Sequence, residues 1–290
     1  MEKNGDFSKV SKILEQEEKF LKYDRFDKVV SSEEMQKKID AQPENPINFK
    51  SGIAMLDNYI ERFEGGEMIV ISGKTKNGKT TFAQTLTKNF HDKGIMSLWF
   101  SYEMPTRQLL RKFPKQTLFF MPQTLADKDL DWIENRIYEA KLKYGIQAVF
   151  IDHLHFIVDL ASHNPSWEVG RIVRYIKKLA VKHNVVIFLL AHLRKVKLDD
   201  KVPDIDDLRD SSFIAQDSDG VFFMTRSFYT DKDGNKVYGD MSRLTVAVHR
   251  ESGTMEKNID LIYENNKFYE YIGEGSVKEN PRVPLFGEKV

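Results

Sequence analysis

The sequence predicts an α/β protein whose mostly parallel sheet is flanked by helices and turns antiparallel towards its C-terminal end. Three observations predict it. Short apolar runs at Met68–Ser72, Ser97–Tyr102, Ala148–Ile151, Val185–Ala191 and Val221–Met224 are each bounded by polar residues. Helical periodicity begins near Lys79 and recurs over 105–113, 129–144 and 167–184, between those runs. Strands alternating with helices place a parallel sheet under cover on both faces. Beyond residue 220 strand follows strand, at Leu244–His249, Ile259–Tyr263 and Phe268–Tyr271, with Asp233-Gly234-Asn235 and Asn265-Asn266 as turns, which is an antiparallel pattern.

The first 46 residues read as a helical arm. Val10, Ile13, Leu14, Phe20, Leu21, Phe26, Val29 and Val30 recur at helical spacing, and Gln42-Pro43-Glu44-Asn45-Pro46 ends the pattern. Such a stripe needs a second surface, either the protein's own domain or a neighbouring subunit. Residues 47–272 form the main domain, and 273–290, with Pro281 and Pro284, an irregular tail.

Composition narrows the class. The 290 residues are 41% hydrophobic and 30% charged, ordinary for a soluble globular protein. No run of about 18 apolar residues and no secretory leader is present, so neither a membrane span nor membrane association is expected. The absence of cysteine removes disulfides and thiolate metal sites, and is consistent with a reducing interior. Acidic and basic residues balance at 44 each, against a protein coated in nucleic acid but not against a local basic strip.

The chemistry begins at Gly73-Lys74-Thr75-Lys76-Asn77-Gly78-Lys79-Thr80, followed by Thr81. A strand precedes this stretch and a helix opens from it, the setting in which such a loop wraps phosphates with its backbone N–H groups. Lys79 is then expected to reach the β- and γ-phosphates of a nucleoside triphosphate, and the Thr80 hydroxyl to ligate Mg²⁺. Ala148-Val-Phe-Ile-Asp152 ends in a carboxylate at the same sheet edge, suited to the metal side of the site. Glu103, just past Ser97–Tyr102, is a candidate to orient water, or alternatively a helix-start acid ahead of Pro105. His192 ends the run after Val185 and is open to a catalytic or a structural role. Asp231-Lys-Asp233-Gly234-Asn235 lacks the later ligands of a calcium loop and reads as a hairpin turn.

Taken together, Ser101-Tyr-Glu103-Met-Pro105, Ile151-Asp152-His153, Ala191-His192-Leu-Arg194 and Asp207-Leu-Arg209-Asp-Ser-x3-Ala215-Gln216-Asp217-Ser-Asp219 resemble the hexameric replicative helicases of the DnaB, phage helicase-primase and Twinkle type. Ser51-Gly52-Ile53-x2-Leu56-Asp57 and Glu64-Gly65-Gly66-Glu67 are similar to the lead-in of the wider RecA-like group. The match runs in order from about residue 50 to 271, and the Asp-Leu-Arg…Gln-Asp segment is its most discriminating part.

The resemblance implies a RecA-like P-loop ATPase core using ATP and Mg²⁺. It implies Lys79 and Thr80 on the nucleotide, Glu103 as the acid that activates water, and Asp152 as the metal-side carboxylate. His192 falls where helicase-primases carry a γ-phosphate sensor, and Gln216 in the segment coupling nucleotide to nucleic acid. Arg250 resembles a finger that completes a neighbour's site, which implies a homo-oligomeric ring, a hexamer in this family. A lysine precedes that arginine by two residues in bacterial relatives, where this sequence has Val248. Full-length members carry a helical collar or primase domain ahead of the ATPase, where this sequence has its short arm.

Two loops, about 157–167 and 194–207, are where the resemblance places single-stranded DNA. The second offers Arg194, Lys195, Lys197 and Lys201 among Asp199, Asp200, Asp204, Asp206 and Asp207; a solvated mixed-charge loop is the other reading. His163, Asn164 and Ser166 are the polar candidates of the first loop. The function implied is ATP-dependent DNA unwinding with translocation on single strands, with a primase or loader as a further partner. The alternative is a RecA-like recombination or regulatory ATPase that binds DNA without unwinding it.

Overall fold

The computed structural model describes residues 6–21, 29–41, 47–125, 129–154, 157, 165–192, 203–208, 211–230 and 236–272. It divides into two units, Met1–Asn45 and Pro46–Val290.

In the first unit, α1 spans Asp6–Leu21 and α2 spans Ser32–Asp40. Ser31 starts α2 with a reciprocal cap: its hydroxyl accepts from the Glu34 amide at 3.1 Å, and its own amide donates to Glu34 Oε2 at 3.2 Å. Met35 and Ile39 on α2, and Ile13 and Leu14 on α1, are exposed.

The second unit is organised by a continuous eight-stranded sheet. Its strands are β3 (Met68–Gly73), β4 (Ser97–Ser101), β5 (Ala148–Asp152), β6 (Val186–His192), β7 (Gly220–Thr230), β8 (Lys236–His249), β9 (Thr254–Glu264) and β10 (Lys267–Glu270). Their order across the sheet is β10-β9-β8-β7-β3-β6-β5-β4. Strands β4, β5, β6, β3 and β7 run parallel, and β7 through β10 are antiparallel neighbours. The expected switch from parallel to antiparallel therefore falls after β7. A separate pair, β1 (Asn48–Phe49) and β2 (Phe63–Glu64), brackets α3 (Ala54–Ile60).

Burial on both faces explains why the parallel strands read as unbroken apolar runs. Met68 and Val70 face one core cluster with Val149, Ile151, Ile187 and Leu189; Ile69 and Ile71 face the other with Phe150, Phe188 and Leu190. The first cluster is capped by α6 (Leu130–Tyr144) and α7 (Pro165–His183), through residues such as Ile133, Ile137, Ile172 and Ile176. On the other side Phe82, Leu86 and Phe90 of α4 (Lys79–Asp92) meet Phe63 and Trp99. Trp99 stacks on Phe150, and Phe150 on Phe188, each with centroids 4.8 Å apart. The Trp99 indole N–H donates to Thr87 Oγ1 at 2.9 Å, so this bulky core residue leaves no polar atom orphaned.

Several boundaries differ from expectation. The helix expected over 105–113 is the shorter α5 (Thr106–Arg111), and α7 begins at Pro165, inside the span assigned to the first loop. The end of the second expected loop holds a 3-10 turn, Ile205–Asp207. Strands β7 and β8 are far longer than their apolar segments, because they pair with each other beyond the edge of the core. The expected turn at Asp233-Gly234-Asn235 lies outside the described residues, whereas Asn265 and Asn266 take positive φ of 50° and 60°, as a tight hairpin requires.

Candidate functional site

Parallel strands end at one edge of the sheet, and that edge collects most of the sequence candidates. Strand β3 delivers Gly73 into the loop, and α4 starts at Lys79. Gly73 has φ 152°, and a Cβ there would meet the Met224 carbonyl oxygen of β7 at 2.3 Å. Gly78 has φ 88° and would bring a Cβ to 2.9 Å from the Phe268 ring. The loop thus depends on glycine for close backbone approach on two sides. Asn77 is buried and donates to the Met224 carbonyl at 3.4 Å; Thr75 and Lys76 are exposed, and Lys74 and Thr81 half-buried.

Lys79 is buried, with its ammonium donating to the carbonyls of Gly73 at 2.9 Å and Lys74 at 3.1 Å. Burial pulls its pKa down to about 8, against the opposing pull of the Glu103 and Asp152 charges. Thr80 Oγ1 donates to Asp152 Oδ2 at 3.0 Å, bringing together the two oxygen donors expected on the metal. Asp152 is 1% exposed. Burial pushes its carboxyl up to about 7, helped by the Glu103 charge and opposed by the Thr80 hydrogen bond and Lys79. A buried carboxyl that keeps its proton to such a pH is short of a positive partner, and two hard oxygens side by side suit Mg²⁺.

Glu103 stands just beyond β4, its amide donating to the Asp152 carbonyl at 3.2 Å. It precedes α5 by three residues, outside the first turn where a helix dipole acts, so the helix-start reading loses its basis. Its side chain is 41% exposed, and Oε2 lies 3.7 Å from His153 Nε2. His192 ends β6, and its ring meets that of His153 edge to face at 4.1 Å between centroids. His153 is the member that sequence reasoning passed over. Its signal was its position, one residue beyond the strand-ending Asp152.

Arg250 is not part of this assembly. It follows β8, whose last residue His249 pairs with Gly220, itself paired with Ile69 near the start of β3. Four residues at about 3.3 Å each separate Ile69 from Gly73, so Arg250 emerges roughly 13 Å from the phosphate loop along the sheet. There its guanidinium donates to the carbonyls of Gln216 at 2.5 Å and Ala215 at 3.4 Å. Gln216 is exposed on α8 (Ser211–Asp217). Asp219, from the same discriminating segment, accepts from the Met68 amide at 2.7 Å and from Lys177 Nζ at 2.6 Å, pinning α7 and the start of β3 together. Arg194, Lys195, Lys197 and Lys201 lie outside the described residues, as do Arg209, His163, Asn164 and the Ser166 side chain.

The family described as DnaB-like helicase C terminal domain matches residues 48–131 and 115–270. The chain is 28% identical over 262 residues to a probable replicative DNA helicase of Trieres chinensis, covering 77% of this chain and 57% of that protein. It is 28% identical over 280 residues to the replicative DNA helicase DnaB of Rickettsia typhi, covering 76% of this chain and 56% of that protein. The chain therefore spans little more than half the length of these relatives. Among solved structures it is similar to an isolated ATPase domain, with TM-score 0.67 and 22% identity over 84% of this chain and 100% of that one. It is also similar to a DnaB-like replicative helicase studied for its interactions with primase, with TM-score 0.63 and 22% identity over 90% of this chain and 70% of that one.

Proposed function

We propose that this chain, which belongs to the DnaB-like helicase C terminal domain family, is an ATP-driven motor that translocates on single-stranded DNA as a homo-oligomeric ring and unwinds duplex ahead of it. The observation that carries the reading is the meeting of Lys79, Thr80, Asp152 and Glu103 at the C-terminal edge of β3, β4 and β5. The Gly73–Thr81 loop holds the phosphates through its backbone and Lys79. Thr80 and Asp152 hold Mg²⁺, which when bound neutralises charge on the phosphate oxygens. Glu103 accepts a proton from the attacking water, and its exposed carboxylate has the freedom to reach one. His192, beside Glu103 at the same edge, reports the state of the γ-phosphate.

Arg250 acts in trans. Its distance from its own loop leaves it available to a neighbour, where a guanidinium offsets transition-state charge. Its hydrogen bonds to the Gln216 segment give that neighbour's nucleotide a route to the nucleic-acid loops. A ring of six follows the family, the arm over residues 1–46 serves to tie adjacent subunits, and Arg194, Lys195, Lys197 and Lys201 contact DNA phosphates. The relative studied with primase makes a primase a reasonable partner here.

The test is ATP turnover with and without single-stranded DNA, together with particle mass in Mg²⁺-ATP and strand displacement on a forked duplex. Stimulated turnover, a ring mass and displacement are expected. A monomer with DNA-independent turnover overturns the motor, and stimulated turnover without displacement favours the DNA-binding ATPase that does not unwind. Removing residues 1–46 lowers the number of chains per particle; an unchanged ring refutes the tying role of the arm.

A further inference from the structure

We infer that Glu103, His153 and His192 form a second cation site, selective for imidazole-preferring transition metals such as Zn²⁺ or Co²⁺ and separate from the oxygen pair of Thr80 and Asp152. The topology brings the three donors together. β4, β5 and β6 are consecutive neighbours in the sheet, with Ser101 paired to Asp152 and Asp152 to Leu190. Glu103 lies two residues beyond the end of β4, His153 one residue beyond β5, and His192 is the last residue of β6. One ligand atom from each lies within 4.8 Å of the others, and among the described residues this is the cluster of His, Asp and Glu donors with that spacing.

The chemistry selects the ion. Two imidazoles and one carboxylate are a facial donor set that leaves coordination positions open, and it suits Zn²⁺, Co²⁺ or Fe²⁺ rather than Mg²⁺, which demands oxygen. Zinc bonds of about 2.0–2.1 Å place tetrahedral ligands roughly 3.4 Å apart. Glu103 Oε2 and His153 Nε2 are already 3.7 Å apart. Closing the remaining gap falls to Glu103, whose side chain is 41% exposed, while His153 at 6% is packed in the fold. His192, half-buried, is fixed by its edge-to-face contact with the His153 ring.

The consequence rests on the reading of Glu103 given above. A metal held by this carboxylate takes away the group that accepts the proton from water, so occupancy stops hydrolysis and a nitrogen-donor chelator that spares Mg²⁺ restores it. The site itself depends only on the geometry, and binding is therefore measured without nucleotide.

The experiment titrates the metal-free 290-residue chain with Co²⁺ and follows its visible ligand-field absorption, in wild type and in Glu103→Gln, His153→Gln, His192→Gln and Asp152→Asn. One equivalent per chain is expected. The Glu103 variant and each histidine variant bind at least about tenfold more weakly, while Asp152→Asn, which removes a nearby charge but no ligand of this site, is weakened less than any of them. Glu103 is exposed, so its variant remains informative if a histidine variant fails to fold. Unchanged titrations in the Glu103 and histidine variants, or binding abolished by Asp152→Asn alone, overturn the inference. Stoichiometric cobalt binding in a chain without ATP turnover leaves this site standing and refutes the proposed function instead.

Discussion

Replacing Asp152 by Asn should stabilise the metal-free fold while destroying its activity. Asn keeps an acceptor for the Thr80 hydroxyl but removes a carboxylate that the fold holds out of water. Each factor of ten in proton affinity is worth about 1.4 kcal/mol. Moving a carboxyl from its ordinary 3.8 to about 7 therefore destabilises the folded state by up to roughly 4 kcal/mol once it is ionised in both states. Relaxation and water entry reduce this to about 1–3 kcal/mol. The sign follows from which state ionises first. Below about pH 4 both states are protonated and the two proteins match; between about pH 4 and 7 the unfolded chain gains most from ionisation, so wild type loses stability relative to Asn; above about pH 7 the gap is constant. Thermal unfolding in EDTA at about pH 5 and pH 8.5 measures it, and at about 2–4 °C per kcal/mol the Asn protein should melt several degrees higher at the alkaline end. A difference that does not change with pH, or an Asn protein less stable at pH 8.5, refutes the reasoning.

Glu103→Gln should lower ATP turnover by about 10²–10⁴ while nucleotide affinity holds, as read by steady-state kinetics and fluorescent-nucleotide binding; unchanged turnover removes Glu103 from the chemistry. Arg250→Ala should lower turnover by about 10³ or more, and mixtures with a Lys79→Ala chain should regain some activity because each supplies what the other lacks; no recovery in mixed particles counts against action in trans. Asp219→Ala should cost about 1–3 kcal/mol in urea unfolding, since it strands the Met68 amide and leaves Lys177 with only the Gly66 carbonyl and solvent, and a loss within about 0.5 kcal/mol shows that the anchor carries nothing. Gly73→Ala should abolish nucleotide binding, because the added methyl meets the Met224 carbonyl oxygen at 2.3 Å; retained binding would mean that β7 yields.

What could be read in advance depended on how each segment is buried. β3, β5 and β6 are covered on both faces and show as solid apolar runs, so the sequence located them to within a residue or two. Helix α3 is seven residues long and buries only Leu56 and Ile60, too short a stretch for periodicity to register. The far halves of β7 and β8 carry Arg226, Ser227, Tyr238 and Asp240 among their apolar residues, so the full length of these strands shows only once they are paired. In the site, Lys79, Thr80 and Asp152 were legible because spacing and strand ends fix them. His153 stands one residue beyond the same strand end, but its meeting with Glu103 and His192 depends on β5 lying between β4 and β6, which a linear sequence does not say.

In the proposed ring, the separation of the phosphate loop from Arg250 makes them a socket and a plug on different edges of each chain. A molecule of that kind joins to its like only head to tail. No two-fold dimer satisfies both ends, so copies add in one rotational sense until the circle closes or a helix runs on. Each contact then contains one complete reaction centre shared by two owners. In the proposed ring a single defective copy spoils two centres, its own and the one it finishes next door, and output should fall faster than the fraction of defective chains added.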